Sequence, residues 1–171
     1  MNVFLITAIT ADGFIARHKN DRSFDWTSKE DKDFYVQKIK KAKFIVIGSK
    51  TFSTFTRYPK GTTYAIYTRK PEKFVNPKPD IIKTIPTKQP PKTLVKELKK
   101  QGAKQVAICG GASIYTMFLK SGIVNKLYLT IEPIIFGKGI TLFNQSIEEK
   151  LKLIKIHRLS KKTIVLEYNL K

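Results

Sequence analysis

Residues 104–119, Lys-Gln-Val-Ala-Ile-Cys-Gly-Gly-Ala-Ser-Ile-Tyr-Thr-Met-Phe-Leu, constrain the fold more than any other stretch, because they join a buried strand to a helix through two glycines. The run 106–109 is short and apolar, the pattern of a strand covered on both faces, and Ile114, Met117 and Phe118 recur at helical spacing. Gly110 and Gly111 carry no Cβ, so the backbone there can approach a ligand closely. The helix opening at Ala112 and Ser113 offers unpaired N–H groups and the positive end of its dipole to an anion. A plain tight turn would also use two glycines. However, the device recurs at 43–55, where a second apolar strand ends in Gly48 and a short helical piece opens with Ser49, Lys50 and Thr51, placed to meet a phosphate.

The rest of the chain supplies a frame for these junctions. Its 171 residues suit one domain. An apolar strand at 3–9 ends in the Asp12-Gly13 turn, and 14–16 makes a brief apolar return. Residues 17–25 are polar and without periodicity, which predicts a mobile surface loop closed by Trp26. Thr27 and Ser28 are both candidate N-caps, with Glu30 completing a capping box from Thr27, for a helix running to about residue 41. At 100° per residue, Phe34, Tyr35, Ile39 and Ala42 form its buried stripe, and Asp31 falls inside that stripe. An acid in a first turn is ordinarily a dipole partner, but an inward carboxylate is costly unless a polar or cationic group meets it. Lys38 interrupts the same face.

Further strands are predicted at 63–68, 80–84 and 126–131. Residues 71–79 and 86–91 read as Pro-rich connectors. A helix capped by Thr93 runs to residue 100, burying Leu94, Val95 and Leu98 and ending at Gly102. After a glycine-bearing loop at 133–143, residues 151–159 and 163–170 alternate and form a closing antiparallel pair. Eight strands and about four helices, alternating until that hairpin, predict a three-layer α/β domain: a mostly parallel eight-stranded sheet with helices on both faces and a C-terminal antiparallel hairpin.

Thirty-three Lys and Arg against 13 Asp and Glu give a formal charge of +20, which calls for anionic partners. Only Arg17, Arg22, Arg57, Arg69 and Arg158 are arginines, and the basic residues are spread along the whole chain. Bidentate reading of bases and phosphates is mainly arginine work. A solvated lysine surface with one local anion site is therefore favoured over a basic nucleic-acid-binding domain, and no specific nucleic acid is expected. The single Cys109 excludes an internal disulfide and a CxxC metal site, and no metal is expected. With no membrane-length apolar run and no signal-peptide pattern at the N-terminus, a cytoplasmic location is expected and no membrane partner.

The order of these features resembles the dihydrofolate reductase superfamily, which includes the riboflavin-pathway reductases, over nearly the whole length. Thr-Ala-Asp-Gly-Phe-Ile-Ala at 10–16 is similar to the end of the family's first strand and the start of its active-site loop. Trp26 and Ser28-Lys-Glu-Asp31 resemble its tryptophan and helix-borne acid. Ile47-Gly-Ser-Lys-Thr-Phe52 and Cys109-Gly-Gly-Ala-Ser-Ile-Tyr115 are similar to its two cofactor segments. Leu127-Tyr-Leu-Thr130 resembles the strand that brings a threonine to the acid.

The resemblance implies catalytic roles for Asp31, Thr130 and Trp26, with Asp31 assisting protonation of a pterin-like ring. It implies substrate contacts from Ala8, Ile9, Phe24, Tyr35, Phe55, Cys109 and Tyr115. NADPH is the implied cofactor. Thr51, Gly110, Gly111, Ala112, Ser113 and Ile114 would hold its pyrophosphate, with Gly48 and Ser49 beside them. Lys50, Thr68, Arg69 and Lys70 would meet its adenosine end, Tyr115 would lie near its nicotinamide, and Ala8, Ile15, Ala16, Tyr67 and Cys109 are further implied cofactor contacts. Reduction of dihydrofolate to tetrahydrofolate by a monomer or homodimer is the first functional expectation. Two departures bear on it: Thr62 stands where folate reductases carry an arginine for the glutamate tail, and 133–143 is closer to the riboflavin-type branch, which makes reduction of a ribosylaminopyrimidine the second expectation.

Overall fold

The computed structural model describes residues 1–170. Its centre is an eight-stranded sheet in which the five strands that carry the βα alternation lie parallel to the first. The six together are β1 (Asn2–Thr10), β3 (Lys43–Gly48), β4 (Thr62–Tyr67), β5 (Ile82–Thr87), β6 (Gln105–Ile108) and β7 (Lys126–Glu132). The closing hairpin is β9 (Leu151–Arg158) and β10 (Ile164–Leu170), and the spatial order is β5-β4-β3-β6-β1-β7-β10-β9. The hairpin is antiparallel and joins through β10 to β7, as its alternating sequence predicts.

Helices cover both faces. α1 (Lys29–Ala42) and α2 (Ser49–Ser53) lie over one side, where Ile39, Ala42 and Phe52 pack with Phe4, Ile6, Ile45, Ile47 and Tyr64. On the other side, α3 (Pro91–Lys100) and α4 (Ala112–Lys120) bring Leu94, Leu98, Ile114 and Phe118 against Val3, Leu5, Val46 and Val106. Alternation along β7 divides it between the two cores: Leu127 and Leu129 face α4's side and Tyr128 faces α1's.

Several local expectations change. Ser28, not Thr27, caps α1: its hydroxyl accepts the Asp31 N–H at 3.1 Å, so Asp31 and not Glu30 occupies the capped position. Pro91 opens α3 with Pro90 as its cap residue, which puts Thr93 inside the first turn. Proline suits that start because its missing N–H would have had no helical partner. β5 extends through Pro86, tolerated because β5 is an edge strand. The segment 71–79 contains a 3-10 turn at Pro71–Phe74, and another lies at Ser23–Asp25. Lys38, the blemish on α1, lays its ammonium 3.9 Å from the Tyr128 ring centroid, a favourable cation-aromatic contact for a cation on an apolar face.

A small second sheet pairs β2 (Phe14–Ala16) with β8 (Ile140–Thr141), so the return after the first strand and the glycine loop are one unit. Asp12 fastens it. Its carboxylate accepts the Thr10 hydroxyl and the Phe136 and Gly137 amides. Gly139 lies so close to β2 that a Cβ there would meet the Ala16 carbonyl oxygen at 2.3 Å. Among the described residues no helix is long and apolar enough to cross a membrane.

Candidate active site

The parallel strands β3, β6 and β1 end on one side of the sheet, where open α/β sheets bind ligands. There the Gly48 N–H donates to the Gly110 carbonyl at 2.7 Å, and the Cys109 N–H to the Val46 carbonyl at 2.9 Å. The two glycine junctions noted in the sequence are thus adjacent. A cleft of about 1200 Å³ opens over them and runs from Asp31 on α1 to the ends of β4 and β5.

Three glycines form its floor with little space to spare. A Cβ on Gly48 would lie 3.3 Å from Ile114 Cγ1 and close to the Gly110 carbonyl, and one on Gly111 would lie 3.3 Å from Thr51 Oγ1. Gly110 has φ +99° and is covered by Tyr115, whose hydroxyl donates to the Ile6 carbonyl at 2.9 Å. The peptide between Gly110 and Gly111 is cis. With α4 beginning at Ala112 and its first N–H groups at this floor, the cradle suits a pyrophosphate held by backbone. Lys50 and the Thr51 hydroxyl stand at its rim.

Toward the β4–β5 edge the lining turns cationic. Arg69 and Lys70 are exposed beside the buried Thr68, whose hydroxyl accepts the Lys70 N–H, and Lys73 and Lys88 join them. An arginine and lysines beside a threonine suit a phosphomonoester on an adenosine ribose. Donor set and cradle both fit a phosphorylated dinucleotide.

At the other end, Phe24, Tyr35 and Phe55 form an aromatic wall, with Phe24 edge-on to both partners at 5.9 and 5.5 Å. The Tyr35 hydroxyl is buried beside Cys109 without a well-formed hydrogen bond. Asp31 is 8% exposed, and burial is the main cause of a carboxyl pKa pushed up to about 6. The Glu132 charge pushes the same way, and the hydroxyls of Thr130 and Thr27 pull against it. Burial pushes the Cys109 thiol up to about 12, so it stays protonated and apolar in character.

Of the residues singled out in the sequence, the cleft gathers Ala8, Ile15, Ala16, Phe24, Asp31, Tyr35 and Phe55. It also gathers Gly48 to Thr51, Tyr67 to Lys70 and Cys109 to Tyr115. Three lie outside it. Ile9 lies further along β1, past Ile6, Thr7 and Ala8, the residues of the strand that line the cleft. Trp26 packs edge-on to Phe136 at 5.2 Å and lines a separate outer cavity. Thr130, the register partner of Ala8, is 1% exposed and supports Asp31 from behind rather than facing the cleft.

Sequence reasoning missed other parts of the lining. Thr54, Lys73, Phe74 and Lys88 come from short segments without strong periodicity. His18, Lys19, Asp21 and Ser23 come from the stretch predicted only as a mobile loop. Its polar composition gave no hint that Asp21 accepts the Arg17 N–H within the loop and lines the cleft.

Comparison with known proteins agrees with this architecture. The uncharacterized protein YwjB of Bacillus subtilis is 25% identical over 159 residues, covering 87% of each chain. A pyrimidine reductase-like protein of Corynebacterium diphtheriae superposes with TM-score 0.80 at 19% identity, covering 99% of this chain and 92% of that one. A diaminohydroxyphosphoribosylaminopyrimidine deaminase/5-amino-6-(5-phosphoribosylamino)uracil reductase of Thermotoga maritima gives TM-score 0.80 at 16% identity, covering 99% of this chain and 56% of that one. These neighbours share the dihydrofolate reductase-like α/β fold expected from the motifs. The family model described as the RibD C-terminal domain matches residues 2–165, and the chain accordingly belongs to the RibD C-terminal domain family.

Proposed function

We propose that this protein is an NADPH-dependent oxidoreductase that reduces a ribosylaminopyrimidine of the kind used in riboflavin biosynthesis, with Asp31 as the proton donor. The observation that carries this reading is the family match over residues 2–165 on a chain whose buried acid faces a cleft floored by two glycine junctions. Dihydrofolate reduction, the first expectation from the motifs, finds no support in the family match, which favours the pyrimidine alternative. It also lacks an arginine for the glutamate tail, since Thr62 is buried and its hydroxyl donates to the Pro59 carbonyl.

NADPH bound in the cleft supplies the hydride. The backbone at Gly110 and Gly111, with Thr51 and the start of α4, holds the pyrophosphate, and Arg69 and Lys70 neutralise the phosphate at the adenosine end. Phe24, Tyr35 and Phe55 press on the faces and edges of the acceptor ring and exclude water. Each hydride delivered must be matched by a proton. Asp31 keeps a useful protonated fraction near neutral pH because burial disfavours its charged form. Lys19 and the His18 imidazole, from the loop at the cleft mouth, are donors available to a phosphorylated tail.

The test is NADPH oxidation followed by absorbance with 5-amino-6-(5-phosphoribosylamino)uracil and with dihydrofolate. Turnover of the pyrimidine and none of the folate is expected. The reverse pattern would replace this reading with folate reduction.

A further inference from the structure

Glu132, the last residue of β7, is 3% exposed, and both oxygens of its carboxylate are engaged. Oε1 accepts the Ser28 N–H at 2.9 Å and the Ser28 hydroxyl at 2.7 Å, and Oε2 accepts the Thr163 hydroxyl at 3.1 Å. Among the described residues no lysine, arginine or histidine forms an ion pair with it. Neutral donors hold this buried carboxylate without forming an ion pair, so its charge is not neutralised by direct contact.

The same serine is the cap of α1, and its oxygen accepts the Asp31 N–H. A continuous chain therefore runs from the sheet to the acid: Asp31 N–H to Ser28 Oγ, and Ser28 O–H to Glu132. One turn of helix hangs on that link, and Asp31 is in it. Thr130, two residues earlier on the same face of β7, supports the Asp31 carboxyl from a second point.

We propose that Glu132 is a positioning residue for Asp31: through Ser28 it fixes where the acid enters the cleft, and it sets a second buried carboxylate behind that acid. The proposal rests on the reading of Asp31 as proton donor, but its electrostatic half can be tested without turnover. The groups that face this pair can be named. From α1 come Glu30 and Lys32, and from the β9–β10 turn come Lys161 and Lys162, which line with Glu132 and Trp26 an outer cavity of about 640 Å³. From α4 comes Tyr115, kept neutral by burial. The Thr163 hydroxyl, at the end of the β9–β10 turn, completes the set.

The experiment titrates the Asp31 side-chain carboxyl by carbon-13 NMR in the ligand-free protein and in E132Q, which keeps an oxygen for Ser28 and removes the charge. A lower Asp31 midpoint in E132Q is expected, with the alkaline limb of the turnover-pH profile moving by the same amount. An unchanged midpoint overturns the proposal. S28A breaks the link and leaves the charge: the midpoint should stay high while turnover at low pH falls roughly tenfold, the scale of a small misplacement at a reacting centre. Wild-type turnover in S28A would overturn the positioning half. If E132Q does not fold, S28A alone decides the proposal. Turnover of D31N reports separately on the donor reading, and its result leaves the titration valid.

Discussion

Tyr115 covers Gly110 so closely that a Cβ built on the glycine would lie 2.9 Å from the phenolic oxygen, the same oxygen that bonds the Ile6 carbonyl of the central strand. The floor of the cleft is thus set by an aromatic ring anchored to β1. With φ +99° at Gly110, an alanine there is disfavoured by backbone conformation as well as by contact. G110A is expected to weaken NADPH binding by tenfold or more while the protein stays folded. Fluorescence titration with NADPH and a thermal melt would check both parts.

Removing the carboxyl of Asp31 should separate chemistry from stability. D31N is expected to lower kcat by about 10²- to 10⁴-fold, the range for a positioned general acid. The same change should stabilise the fold above neutral pH by on the order of 2 to 3 kcal/mol, since the charged form is the one that burial penalises. Urea denaturation of both proteins at pH 8 and near pH 4 would measure the difference, which should shrink at the lower pH.

The pH dependence follows with its sign. Asp31 has its folded pKa raised from 3.8 to about 6, so its contribution to stability is fully present below 3.8 and is lost as pH rises through about 6. Turnover that needs the protonated acid should fall over the upper part of the same window. A kcat profile from pH 4.5 to 9 should show an alkaline limb near 6, and a flat profile would remove Asp31 from the rate-limiting proton transfer.

Arg69 and Lys70 are exposed at the β4–β5 end of the cleft, proposed to take the adenosine end of the cofactor, where their charge meets solvent and salt. R69A is expected to raise KM for NADPH by roughly tenfold with little change for NADH, because a charge-assisted pair with the extra phosphate is what it loses. Steady-state kinetics with both cofactors at two ionic strengths would show it. The wild-type preference should shrink at the higher one.

The parts of this site that were legible in the sequence are those carried by local periodicity. Asp31 could be placed inward by counting 100° per residue along one helix, and the two glycine junctions announced themselves as strand, break and helix. Trp26 and Thr130 were drawn toward the chemistry by resemblance, yet both sit one layer back, because where a ring or hydroxyl points is fixed by Phe136 in one case and by β1 packing in the other. Glu132 left no local sign, as its three donors come from residues 28 and 163. The loop 17–25 was legible as polar and aperiodic, but its place over the cleft depends on the pairing of β2 with β8 more than a hundred residues away. Even the α1 cap turned on this: local rules offered Thr27 a capping box with Glu30, and contact with Glu132 selects Ser28.

The two margins of the large sheet are unlike. At β5 the Asn76 N–H and the Phe74 carbonyl both bond the Thr84 hydroxyl, so residues 71–76 are fastened along the strand as a selvedge. At β9 no strand follows, and Leu151, Leu153, Ile154 and Ile156 stand exposed, Ile156 by 55%, among Lys152, Lys155 and Arg158. Like charge keeps two such margins apart only while their fields reach each other, about 10 Å in 0.1 M salt and about 3 Å in 1 M. The colloidal behaviour of this very basic chain is therefore salt-gated through one strand, and static light scattering should rise with ionic strength in the wild type and stay level when Ile154 and Ile156 are replaced by threonine.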